Sequence, residues 1–172
     1  MKIAGFYDES ISNGEGWRAV LFVSGCPHHC PGCHNPEAQN YDYGKDFNEQ
    51  NEQEILNKIK ENSILKGITI SGGEPLCKEN VSTVHKFIRD VKSLRPEFNI
   101  WCYSGYTLDE LVGRNDTDTS ACLKDIDVLV DGEFIQAKKD PTLKFRGSSN
   151  QRIIDVQNSL KEHKCVEYSK VL

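Results

Sequence analysis

Three cysteines, Cys26, Cys30 and Cys33, stand close together in the run Cys-Pro-His-His-Cys-Pro-Gly-Cys. The spacing C-x3-C-x2-C lets one short loop turn three thiolates toward a single point. A [4Fe–4S] cluster is held by cysteine thiolates, four as a rule. A trio with no fourth cysteine at matching spacing leaves one iron free for another ligand, and an open coordination position makes a metal site reactive. The same residues also suit a structural zinc, with His28, His29 or His34 completing a Cys3His set. The histidines otherwise read as outer or solvent-facing groups. Pro27 and Pro31 stiffen the loop and remove two backbone donors. Cys77, Cys102, Cys122 and Cys165 show no ligand spacing; Cys102 and Cys122 read as small buried hydrophobes, and Cys77 sits just after the next motif.

That motif is Gly72-Gly73-Glu74-Pro75. Two glycines let the backbone approach a ligand without a Cβ in the way. Glu74 offers a carboxylate to an amino group. Alone this is a turn with a solvated glutamate. Following the cysteine trio, it is a partner for the amine of an amino acid chelating the open iron.

Elements must hold these loops together. Apolar runs rich in Val and Ile predict strands over 18–24, 67–71, 98–103 and 127–130. Stripes of apolar residues at helical spacing predict helices over 51–62 and 79–94, with a short one over 108–112. This alternation predicts βα units around a parallel sheet or barrel. The cysteine loop follows the first strand and Gly72-Gly73-Glu74 the second. Ser104-Gly105 follows the third and Asp131-Gly132 the fourth. Loops after strand C-termini open on one face of a parallel sheet, where ligands bind.

The chain has 172 residues, with 21 Lys+Arg against 26 Asp+Glu, for a net charge of −5. At roughly 150 residues per domain this is one domain, with a core over about 1–156 and a short extension over about 157–172. An acidic chain is a poor general binder of nucleic acid, whose phosphates demand a basic surface. The longest apolar run, Ala19 to Val23, is far short of the roughly 20 residues of a membrane span. No signal peptide pattern opens the chain. The expected address is the cytoplasm, where seven cysteines stay reduced and serve metal or redox chemistry.

C-x3-C-x2-C followed by Gly-Gly-Glu resembles the radical S-adenosylmethionine (SAM) superfamily. Within it, the chain is similar nearly end to end to the anaerobic ribonucleoside-triphosphate reductase activating proteins. The stretches that carry the resemblance include Asn13-Gly14-Glu15-Gly16-Trp17-Arg18 and Leu21-Phe22-Val23-Ser24-Gly25-Cys26-Pro27-His28. They continue through Cys30-Pro31-Gly32-Cys33-His34-Asn35-Pro36, Ser71 to Leu76, Ile100-Trp101 to Tyr106, and Leu129-Val130-Asp131-Gly132. Lys139-Asp140-Pro141 with Phe145-Arg146-Gly147-Ser148-Ser149-Asn150-Gln151 narrows it to the subfamily. Two features depart from the pattern: Gly32 stands where superfamily members often carry an aromatic residue, and Cys77 has no counterpart.

The resemblance implies an α/β fold, an incomplete (β/α) barrel of the radical SAM type with its site at the strand C-terminal ends. It implies that Cys26, Cys30 and Cys33 ligate three irons of a [4Fe–4S] cluster and that the fourth iron binds SAM. Ser71, Gly72, Gly73 and Glu74 would hold the methionyl end, with Glu74 near the amine. Gly32 and His34 would reach the adenosyl part. Tyr103, Ser104 and Asp131 are further SAM contacts, assigned from strand-end position. The activity implied is reductive cleavage of SAM to methionine and a 5′-deoxyadenosyl radical, which makes a glycyl radical on the large subunit of the anaerobic reductase. The cofactor carries that chemistry, and no catalytic side chain beyond the ligands is assigned. An electron donor such as flavodoxin or ferredoxin is implied, and a homodimer is compatible. The alternatives are an activase of another glycyl-radical enzyme, such as pyruvate formate-lyase, and a non-catalytic zinc-binding interaction module. Lys138, Lys139, Lys144, Arg146 and Arg152 make a local basic excess, and Arg146 to Gln151 reads as a segment that docks the reductase or closes the site.

Overall fold

The computed structural model describes residues 1–169. Its centre is a seven-stranded sheet of order β3-β1-β2-β4-β5-β6-β7. The strands are β1 (Lys2–Ser10), β2 (Arg18–Val23), β3 (Lys45–Asp46), β4 (Gly67–Gly72), β5 (Asn99–Tyr103), β6 (Val128–Asp131) and β7 (Arg152–Asp155). The four strands expected from sequence, β2, β4, β5 and β6, run parallel in the middle. The outer strands β1, β3 and β7 pair antiparallel, so the sheet is mixed rather than wholly parallel. Its order ends at β3 on one side and β7 on the other.

Strand alternation sorts the side chains into two faces. Ala19, Leu21, Val23, Ile68, Ile70, Ile100, Cys102, Leu129 and Ile154 face one way and join one large core. The helices α1 (Glu49–Glu61), α2 (Val81–Leu94), α3 (Leu108–Gly113), α4 (Thr117–Asp125) and α5 (Val156–Glu162) all contribute to it. In α2 the stripe Val81, Val84, Phe87, Ile88 and Val91 is buried, as its helical spacing requires. Asn48 and Asp116 cap α1 and α4 by accepting from backbone N–H groups, and Thr107 with Glu110 forms a capping box at α3.

The opposite face carries Trp101, Val128, Val130 and Ile153, with Tyr103, Phe145 and Tyr168 against them. Among the described residues no helix contributes to this smaller cluster, against which the loop residue Phe145 and Tyr168 pack instead. The extension after residue 157 is part of the packed structure. The Asp155 N–H donates to the Val166 carbonyl and the Tyr168 N–H to the Ile153 carbonyl, while Tyr168 OH donates to Glu15. Residues 170–172 of the expected extension lie outside the described residues.

Arg18 opens β2 and is buried among the N-terminal ends of the parallel strands. It donates to Thr69 Oγ1 (2.8 Å) and to the carbonyls of Glu15 (3.0 Å), Ile68 (2.7 Å) and Asn99 (2.6 Å). Its guanidinium stands 5.4 Å from the centroid of the Trp101 ring. Burial lowers its pKa to about 10, still well above neutrality.

Candidate metal and ligand cleft

At the other end of the same strands the four expected loops converge on a cleft of about 510 Å³. Cys26, Cys30, Cys33 and His34 line it from the loop after β2, and Ser71, Gly72, Gly73 and Glu74 from β4 and its turn. Tyr103, Ser104 and Gly105 line it from the end of β5, and Gly132 from the end of β6.

The cysteine loop and the glycine turn are in intimate contact. The Gly73 N–H donates to the Val23 carbonyl (2.7 Å) and the Glu74 N–H to the Gly25 carbonyl (2.8 Å). A Cβ at residue 73 would run into the Gly25 and Ala38 carbonyl oxygens, so only glycine lets the two segments approach this closely. Gly72 has a φ of +103°, a conformation that glycine adopts without strain.

Glu74 has no exposed surface. Its Oε1 accepts from the Leu76 N–H (2.9 Å) and the Ser104 hydroxyl (2.8 Å). Its Oε2 accepts from the Gly105 N–H (2.7 Å) and pairs with His28 Nε2 (3.0 Å). The carboxylate expected to wait for an amine is therefore already engaged by four protein groups. Glu74 is nonetheless among the residues of the cleft wall.

His28 is the residue that sequence reasoning undervalued. From inside the cysteine loop it reaches Glu74 with one ring nitrogen and Glu133 with the other (2.9 Å). Its ring meets Tyr106 edge-on at 4.3 Å, and a Cβ at Gly105 would strike it. Burial opposes the imidazolium, but the hydrogen bonds to Glu74 and then Glu133 prevail and raise its pKa. Its sequence signals were its place two residues after Cys26 and in the stretch Leu21 to His28 that carries the resemblance.

Burial pushes the Cys26 thiol up to about 11 and raises Cys30 as well. Cys33 Sγ accepts from the Asn35 N–H at 3.4 Å. Metal binding would displace these thiol protons. Among the described residues no three His, Cys, Asp or Glu side chains are grouped so as to hold a single metal ion.

Other expected contacts lie elsewhere. Asp131 does not line the cleft. Its fully buried carboxylate accepts from the Leu108 N–H (2.8 Å) and from Arg152 Nε (3.0 Å) and Nη2 (2.6 Å), so it fastens α3 to the sheet. Gly32 is not in the wall either; it turns the loop with φ +72° against Gln136. Of the segment expected to dock a partner, Arg146, Gly147 and Gln151 line the cleft, while Ser148 is completely buried. Gln151 Oε1 accepts from the Gly147 (2.8 Å) and Ser148 (3.2 Å) N–H groups, so the segment is folded upon itself. Phe134, Leu143 and Phe145 complete the wall without any motif to announce them. Cys77, Cys102 and Cys122 are buried away from the cleft.

Residues 12–154 match the family model described as a 4Fe-4S single cluster domain. An anaerobic ribonucleoside-triphosphate reductase-activating protein of Haemophilus influenzae is 46% identical over 149 residues, 86% of this chain and 94% of that protein. Proteins of the same name from Vibrio cholerae and Escherichia coli are each 42% identical, covering 86% and 85% of this chain and 94% and 93% of their own. The chain belongs to the anaerobic ribonucleoside-triphosphate reductase-activating protein family. For a member of that family the donor set is apt. Three soft thiols share one cleft wall, and the other cysteines do not line it. His28 has both ring nitrogens committed to carboxylates, so it is not a fourth ligand.

Proposed function

We propose that the chain activates an anaerobic ribonucleoside-triphosphate reductase by generating a glycyl radical on its large subunit. Cys26, Cys30 and Cys33 would hold the [4Fe–4S] cluster, and SAM would occupy the adjoining cleft. When bound, that pair supplies one-electron cleavage of SAM to methionine and a 5′-deoxyadenosyl radical. The observation that carries this reading is the convergence of three thiols with Ser71, Gly72 and Gly73 on one cleft at the strand C-termini. It supports an incomplete barrel of the radical SAM type.

The protein's part is to bind, orient and exclude water. Gly72 and Gly73 bring backbone rather than side chains to the methionyl end. Glu74 and His28 brace the cysteine loop against the ends of β4 and β5. Ser104 completes that brace through its bond to Glu74. His34, beside Phe134 at 5.7 Å between ring centroids, and Tyr103 shape the remaining wall. Electrons would come from a flavodoxin or ferredoxin, and the reductase would meet the rim of the cleft near Lys138, Lys139, Lys144 and Ser149. No helix among the described residues is long and apolar enough to cross a membrane, in keeping with a cytoplasmic address.

The test is an EPR spectrum of the anaerobically reconstituted, reduced protein mixed with SAM and the reductase, with iron and sulfide measured on the same sample. The expected result is a glycyl radical doublet that requires all three components. An intact cluster that cleaves SAM without a doublet would move the target to another protein. A colourless, zinc-loaded chain would overturn the reading.

A further inference from the structure

Arg146 stands in the loop between β6 and β7 and lines the cleft. It is the one Lys or Arg among the residues described there. Its Nη1 donates to the Gln151 carbonyl at 3.0 Å, which fixes the direction of the side chain. Its Nε–H is buried and has no hydrogen-bond partner among the described residues. A buried donor on a charged group is destabilising unless something accepts from it.

The loop that presents Arg146 is held from several sides. Phe145 has a φ of +57°, unusual for a residue with a side chain. Its carbonyl accepts from Tyr103 OH (2.9 Å), and its ring meets Trp101 edge-on at 5.3 Å. Gln151 Nε2 donates to the Gly132 carbonyl (2.9 Å) while its Oε1 takes the Gly147 and Ser148 N–H groups. Backbone strain of this kind persists where the surroundings impose it, and it gathers at ligand clamps.

The free donor calls for an anion, and the rest of the cleft says which. The acid in the wall, Glu74, is already satisfied by its own partners. A phosphate would need further cations or a nest of free backbone N–H groups. Those nearby are taken: Gly73 and Glu74 by carbonyls, Leu76 and Gly105 by Glu74, Gly147 and Ser148 by Gln151. One guanidinium with donors in a planar fork suits one carboxylate.

We propose that Arg146 is the anchor for the carboxylate of an amino-acid-bearing ligand. On the function proposed above, on which this inference rests, that group is the methionyl carboxylate of SAM. Arg146 is then a ligand-binding residue of the cleft rather than part of a docking surface.

Equilibrium dialysis with SAM and with decarboxylated SAM tests this on the anaerobically reconstituted, unreduced protein, so that no turnover occurs. R146Q should weaken SAM binding about ten- to a hundredfold, the scale of a lost charged hydrogen bond. Decarboxylated SAM should bind R146Q and the wild type alike. R146K should fall between, since it keeps the charge and loses the fork; it also serves if R146Q fails to fold. K161Q, which removes an exposed charge on α5 outside the cleft lining, should change neither ligand. Equal weakening of both ligands would overturn the proposal by making Arg146 a shaper of the cleft. Unchanged SAM binding with weaker binding of the reductase would overturn it in favour of docking. A wild-type protein that carries its cluster and binds no SAM would overturn the proposed function and this inference together.

Discussion

Arg18 and Glu74 are buried charges at opposite ends of the same parallel strands. Arg18 is 1% exposed and Glu74 0%. Arg18 is satisfied by Thr69 and by three carbonyls, so its partners belong to the sheet and the loop leading into it. Glu74 is satisfied by two N–H groups, a serine hydroxyl and a histidine that comes from the cysteine loop. One fastens strands to each other. The other fastens the frame to the loop that would carry metal. The lesson is that a buried charge is read by where its partners come from: partners in the sheet and its lead-in loop signal architecture, and a partner from a ligand-bearing loop signals a site.

The comparison can be broken by substitution. Arg18→Ala leaves several carbonyls without donors and a cavity against Trp101, so it should cost about 3–5 kcal/mol in urea unfolding. Iron content per folded molecule should nonetheless stay at the wild-type level; iron loss beyond the folded fraction would erase the distinction. Glu74→Gln keeps the shape but turns an NH2 toward donors, for about 2–3 kcal/mol of stability. Here cluster retention and SAM binding should fall together, measured by iron content and dialysis. His28→Ala should cost about 1 kcal/mol of cluster-free stability. Its larger effect should be faster loss of iron to a chelator, because the cysteine loop loses its side-chain tie to Glu74.

A solvent-facing charge gives the smallest effect and the scale for the others. Asp116 accepts from the Thr119 N–H (2.7 Å) at the start of α4, and that bond holds its carboxyl below the usual range. Asp116→Ala should cost about 1 kcal/mol at neutral pH. A depressed carboxylate pKa contributes stability above the unfolded value and loses it as pH falls through the folded one. The difference between wild type and variant should therefore close below about pH 4, as thermal unfolding across pH would record.

Strands β2, β4, β5 and β6 were legible because most of their residues are buried, on both faces, and are dominated by apolar types. Strand β1 was not, since it lies near the sheet edge and mixes exposed Tyr7, Asp8 and Glu9 into its run. Strand β7 is four residues long with a charge at each end, and α4 buries only Thr119, Cys122 and Leu123. The cysteine trio and the glycine turn were legible from local spacing. The clasp between His28 and Glu74 was not, because its partners are 46 residues apart and meet only once β2 and β4 pair. Asp131 misled for a related reason. Strand-end position predicts nearness to the cleft, but Arg152, from the antiparallel β7, captures its carboxylate.

The two edges of the sheet bear on how other proteins can attach. At one side β3 offers only Lys45 and Asp46, both charged and exposed. At the other, residues 166–168 return along β7 and take its backbone groups. On the β7 side that return covers the edge and opposes strand addition, whereas β3 pairs only with Lys2 and Ile3, and the rest of β1, with exposed Tyr7, Asp8 and Glu9, has no further strand beside it among the described residues. The closure at β7 denies a partner the route of β-augmentation there and leaves it along β1. Strand addition is thus confined to the side of the sheet where β1 carries Asp8 and Glu9, and elsewhere a partner must read side chains rather than backbone.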